Sequence, residues 1–245
     1  MDAIYFIFIA CLAAVAFCYA AVGHGGASGY IAVYILFGMV APSMKSFVLL
    51  MNLLVAAVAF YQYYKQGYFS MKYFWPWGLG AAPMAYLGAG FEIDARVYRY
   101  FLAFFLLFSV AYLLGIFDRY LKHYRVTYRE WKALLIAMLL GLVSGITGVG
   151  GGIFLSPILL LFSWQDVKQT AAISALFIVV NSLAGLIAMQ QSALLVSYDI
   201  FVKLFVVIMF GFAGSWWGAK IENQFALKRM LAFVLLIAAV KLCIT

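Results

Sequence analysis

The stretch Gly145-Ile146-Thr147-Gly148-Val149-Gly150-Gly151-Gly152, with Pro157 five positions beyond it, decides the reading of this chain. It separates the apolar run Trp131 to Ile146 from a shorter one, Ile153 to Phe162. The first half holds a weaker copy. There Gly23-His24-Gly25-Gly26-Ala27-Ser28-Gly29 separates Ala3 to Val22 from Tyr30 to Val40, a run that ends at Pro42. Gly23, Gly25 and Gly26 fall on Gly148, Gly150 and Gly151 at one constant offset.

Working outward, the solvent of these runs is lipid. Of the 245 residues, 68% are hydrophobic and only 10% charged. A soluble domain is nearer half apolar and a quarter charged, because it must present a polar exterior. An ordinary soluble enzyme, a disordered chain and a nucleic-acid binder are thereby excluded. At about 20 residues per spanning helix, the length allows roughly eight to ten passes. The net charge of +8 reads as topology, since cytoplasmic loops of membrane proteins collect Lys and Arg. Cys11, Cys18 and Cys243 lie in apolar runs with no metal-type or redox spacing, and no cofactor is implied. The opening residues, Met1-Asp2 with no basic segment, read as a retained first helix.

The remaining runs repeat one order. After the first break come Ser46 to Tyr64, Phe74 to Phe91 and Val97 to Phe117. After the second come Thr170 to Gln191, Ile200 to Ala219 and Leu227 to Leu242. Asn52 falls on Asn181 at a second offset, which also lays Leu102 to Leu107 on Leu231 to Leu236. A duplication follows: a membrane repeat over 1–117, a basic linker over 118–130 and a second repeat over 131–245. The fold class expected is all-α and polytopic.

The stretch Asp118 to Lys132, with Arg119, Lys122, His123, Arg125, Arg129 and Lys132, is placed in the cytoplasm. Alternation then leaves 11 of the 16 basic residues inside and the N-terminus outside. The two glycine breaks enter from opposite sides, so the halves are inverted copies. The short runs would span about 15 Å as helix, half the hydrocarbon thickness. Broken or re-entrant elements with tips near mid-membrane are expected.

Irregular backbone at that depth is tolerated only where protein buries it or where it lines a cavity. Paired breaks therefore point to a carrier's binding site. Glycines allow positive φ and close approach of a ligand. The short helices beginning near Ala27 and Ile153 aim their N-termini at the breaks, where amides and the helix dipole attract an anion. The candidate substrate-binding residues are Gly23, His24, Gly25, Gly26, Ser28, Asn52, Thr147, Gly148, Gly150, Gly151, Gly152 and Asn181. Plainer roles compete: glycines pack helices, asparagines glue them, and hydroxyls cap or back-bond. His24 is either a charge or proton carrier, or a neutral ring bonded to a carbonyl. The eight carboxylates all lie in or beside expected loops, which disfavours a cation carrier. Phe74-Trp75-Pro76-Trp77 and Trp216-Trp217 read as interfacial anchors.

This arrangement resembles the sulfite exporter TauE/SafE family, also called the 4-toluene sulfonate uptake permeases. The residues that carry the likeness are Gly145 to Gly152, Pro157, the Asn181 helix and the first-half copy Gly23-His24-Gly25-Gly26. It covers essentially the whole chain. The resemblance implies a secondary carrier of small sulfur-containing anions, such as sulfite or organosulfonates, in the bacterial inner membrane. Ala27 and His24 depart from the second break, where Gly152 and Val149 stand. A channel, or a carrier of another small anion, is the alternative. Gly26-Ala27-Ser28-Gly29 matches the G-x-S-G of intramembrane serine proteases, but no second histidine is placed to act as base. No P-loop is present.

Overall fold

The computed structural model describes residues 2–39, 44–91, 127–189 and 198–223, with scattered positions between 100 and 116 and between 225 and 240. Among these residues it is all-helical, with eight helices. They are α1 Asp2–Ala20, α2 Ala27–Leu36, α3 Met44–Lys65, α4 Met71–Ala89, α5 Glu130–Thr147, α6 Gly152–Leu161, α7 Val167–Ala188 and α8 Tyr198–Lys220. Five of them (α1, α3, α5, α7 and α8) are long and apolar enough to cross a membrane. The expected helices Val97 to Phe117 and Leu227 to Leu242, the linker as far as residue 126, and Cys243 lie wholly or largely outside the described residues.

The short helices start where the glycines predict, at Ala27 and Gly152, and each has 10 residues. Each longer helix begins one to three residues before its expected apolar stretch, because a polar turn can still be helical, and α1, α4 and α7 end two or three residues short of it. α7 begins at Val167 rather than Thr170 because Asp166 caps it. The Asp166 carboxylate accepts from the Gln169 amide at 2.8 Å, and the Gln169 side chain accepts from the Asp166 amide at 3.2 Å. That reciprocal pair satisfies two first-turn donors.

α3 and α7 are the most buried of the spanning helices. They run antiparallel along their length. Ser46 meets Met189 at one end, Asn52 meets Ser182 at 2.9 Å in the middle, and Tyr63 packs with Ala171 and Ala172 at the other end. Around this pair the first helix of each half packs on the fourth helix of the other. α1 runs parallel to α8, with Gly214 on the Phe17 backbone and Gly218 on the Ala21 backbone. α4 runs parallel to α5, with Gly141 on Ala81 and Gly145 on Ala85. Glycines four apart let backbones touch, the small-residue packing that holds helices together where lipid supplies no hydrophobic drive.

Gly145 therefore belongs to a helix seam rather than to the break. A Cβ there would overlap the Ala85 carbonyl. Gly145→Val is expected to cost about 1–3 kcal/mol of stability, as overpacking does. Thermal unfolding of purified protein should show the loss, and an unchanged midpoint would remove the seam as a source of stability.

The aromatic residues expected as interfacial anchors differ in exposure. Trp75 is 40% exposed, whereas Trp77 is fully buried with its ring 6.1 Å from that of Trp164. Trp216 is half exposed, and the Lys220 ammonium lies 4.2 Å over its ring. Large apolar side chains such as Phe6, Leu139 and Phe205 stand on the outer faces, where lipid would solvate them.

Candidate functional site

Each break is a helix end joined to a helix start through left-handed glycines. α1 closes with the His24 amide on the Tyr19 carbonyl at 2.9 Å and the Gly23 amide on Ala20 at 3.0 Å. With Gly23 at φ 76°, this is a Schellman closure. α5 closes more simply, with the Gly148 amide on Ser144 at 2.8 Å and Gly148 at φ 68°. The residues preceding α2 and α6, Gly26 at φ 95° and Gly151 at φ 73°, are also left-handed. Only glycine takes that conformation cheaply. Having no side chain, neither residue can cap the helix it opens.

The two breaks meet at the middle of the α3–α7 pair. His24 crosses from the first to the second. Its Nδ1 lies 2.9 Å from the Val22 carbonyl, and its Nε2 lies 3.2 Å from both the Gly152 carbonyl and the Ser156 hydroxyl. A carbonyl only accepts, so Nδ1 carries a proton. With Nε2 bare, Ser156 donates to it. With Nε2 protonated, the ring donates to Gly152 and lies between two carbonyls.

Asn52 performs the second crossing. Its Oδ1 accepts from the Ala27 amide at 3.0 Å, and its Nδ2 donates to Ser182 at 2.9 Å and reaches the Val149 carbonyl at 3.5 Å. It supplies from another helix the cap that Gly26 cannot. Gly25 and Gly150 lie against it so closely that a Cβ on either would overlap its side chain.

The remaining candidates divide. Ser28 bonds the Tyr19 hydroxyl at 2.8 Å, and Ser156 bonds Ser174 at 2.8 Å. Thr147 donates back to Val143 in its own helix at 2.8 Å. Gly23 lies against the Ala171 backbone, and Gly148 lies against the methylenes of Lys45. The Lys45 ammonium donates to the Ile146 carbonyl at 3.2 Å. Gly151 faces Phe177 and Ser144, and Gly152 faces Ile178. Asn181 is 1% exposed, and among the described residues neither its oxygen nor its nitrogen has a hydrogen-bond partner. Asn52 and Asn181, paired in the sequence, thus have different neighbours. The residue beside Asn181, Ser182, is the one that bonds Asn52.

Sequence reasoning missed Tyr19, Lys45, Ser174 and Ser182. Lys45 read as a loop residue because it precedes the apolar run. Ser174 and Ser182 stand on one face of an otherwise apolar helix, two turns apart, and that spacing was the available signal. Between the breaks remains a cavity of about 10 Å³, walled by Tyr19, His24, Gly25, Asn52 and Ile178 among others. It would hold about one water, so the site is closed.

Apolar spanning helices around a closed meeting point of two helix N-termini define a polytopic helical membrane transporter. A family model described as Sulfite exporter TauE/SafE matches residues 7–242. The probable membrane transporter protein y4hK of Sinorhizobium fredii is 33% identical over 233 residues, covering 93% of this chain and 94% of that protein. No solved structure matches. The chain belongs to the sulfite exporter TauE/SafE family.

Proposed function

We propose that this transporter is a secondary carrier of small sulfur-containing oxyanions, sulfite or organosulfonates, working by alternating access in the bacterial inner membrane. The observation that carries the reading is the convergence of two left-handed glycine breaks, one from each half, on a cavity closed to about 10 Å³. The matched helices α3 and α7 run antiparallel, and the first and fourth helices pair crosswise, as two inverted repeats over 1–117 and 131–245 would. In this reading the basic linker, 118–130, is cytoplasmic and the N-terminus lies outside. Backbone amides, hydroxyls and His24 present donors to the anion, and the described carboxylates stand at helix ends, away from it. No metal or organic cofactor enters the mechanism.

The test is uptake of radiolabelled sulfite into proteoliposomes. Saturable uptake, counterflow against internal sulfite and competition by organosulfonates are the expected results. Flux without counterflow, at rates far above a carrier's, would make the protein a channel. Uptake of acetate but not sulfite would move the substrate to another anion class.

A further inference from the structure

The two breaks are not chemically equal, and the difference locates the anion. At the first, the polar groups are mostly used, the Tyr30 hydroxyl beside Gly26 excepted. Asn52 caps α2 through the Ala27 amide, Ser28 is bonded to Tyr19, and His24 is held at both ring nitrogens. At the second, no side chain caps α6. Its Gly152 and Ile153 amides have no partner within the helix, and its dipole is positive at that end.

More of the unused buried groups stand on the same side. Among the described residues the Ser144 hydroxyl has no partner, although the residue is 2% exposed. Its Oγ lies 3.2 Å from where a Cβ on Gly151 would stand, aimed at the start of α6. The Phe177 ring touches that same position at 2.9 Å. Asn181 is one helical turn beyond Phe177, on the same face of α7, with both amide atoms unpartnered among the described residues. A buried polar group without a partner is unfavourable, so a cluster of them calls for a ligand. Lys45 adds a positive charge at the adjoining turn, where its side chain covers Gly148 and its ammonium bonds Ile146.

We infer that the oxyanion docks in the second half, at the N-terminus of α6, held by the Gly151–Gly152 amides, the Ser144 hydroxyl and the Asn181 amide. The Asn52 side chain takes the equivalent place in the first half and makes that break a built-in, permanently filled site. One anion is bound per chain. This rests on the carrier reading above and specifies its site.

Two substitutions test it, Ser144→Ala and Asn181→Leu, each measured by thermal unfolding of detergent-purified protein and by titration with sulfite. Wild type should be stabilised by sulfite, as a folded-state ligand requires. Each variant should bind sulfite at least tenfold more weakly, and the double variant should show no sulfite-induced shift. Without sulfite, Asn181→Leu should unfold at or above the wild-type temperature, since its amide has no bonds to lose. A lowered midpoint with the sulfite shift intact would overturn the inference and make Asn181 structural. So would a double variant that binds like wild type. If wild type itself responds to none of sulfite, sulfate and organosulfonates, the carrier reading fails, and this inference falls with it.

Discussion

Gly150→Leu is expected to abolish sulfite uptake, by at least a hundredfold, in protein that still inserts and folds. Gly150 sits at φ 78°, and a Cβ there would overlap Asn52 and stand 3.0 Å from the Ser182 hydroxyl. The left-handed conformation costs a substituted residue ~1–2 kcal/mol. Forcing Asn52 aside adds ~1–3 kcal/mol and breaks the bonds by which it caps α2 and ties that cap to Ser182 of α7. The strain is concentrated where both breaks touch, so it reaches transport before it reaches the rest of the bundle. Gly38 supplies the control. It has φ 68° and open space around its missing side chain, so Gly38→Ala bears the same backbone cost without the overlap. Uptake into proteoliposomes, normalised to reconstituted protein, should survive in Gly38→Ala and vanish in Gly150→Leu. Equal uptake in both would place the transport path away from the second break.

The second large effect is on the pH profile. His24 is the histidine among the described residues, and its ring bridges the two breaks. Protonated, it donates to carbonyls on both sides and puts a positive charge at the cavity. Neutral, it accepts from Ser156 and releases Gly152. A hydrogen bond to a charged group contributes ~1.5–3 kcal/mol, more than a neutral one. Uptake by wild type should therefore fall by about tenfold or more as pH rises through the window in which this ring loses its proton. Glutamine keeps a donor and an acceptor at this place but cannot gain the charge. His24→Gln should transport slowly at every pH in that window, with a flat profile. Superimposable profiles for the two proteins would remove His24 from coupling and leave it a structural bridge.

Much of this was legible from the residues. Glycine clusters are rare enough in apolar sequence to mark both breaks, and they set the starts of α2 and α6 within one residue. Apolar runs located the six longer described helices but clipped their starts, because Met44-Lys45 and Asp166-Val167-Lys168-Gln169 are polar turns that belong to helices. Positional matching failed for finer chemistry. Asn52 and Asn181 looked like copies, yet one caps a helix and the other bonds nothing described. That difference depends on which helix each faces, and a single chain of letters does not carry it. Gly145 was likewise indistinguishable from its neighbours until Ala85 was seen against it.

The crossed glycine seams have a mechanical meaning. Backbone rests on backbone where α1 meets α8 and where α4 meets α5, and each seam joins helices from different halves. Rocking residues 1–117 against 131–245 would tear both seams at once. The stiff panels of the molecule are instead mixed, each braced by one helix of either parentage. Between them runs the α3–α7 pair, whose contacts are between side chains and can slide. In the alternating-access cycle proposed above, exposure of the cavity to one side and then the other would be a tilt of two cross-braced panels about that line. A chain cut within its linker would yield two fragments, each lacking the surface on which its first helix is built to lie.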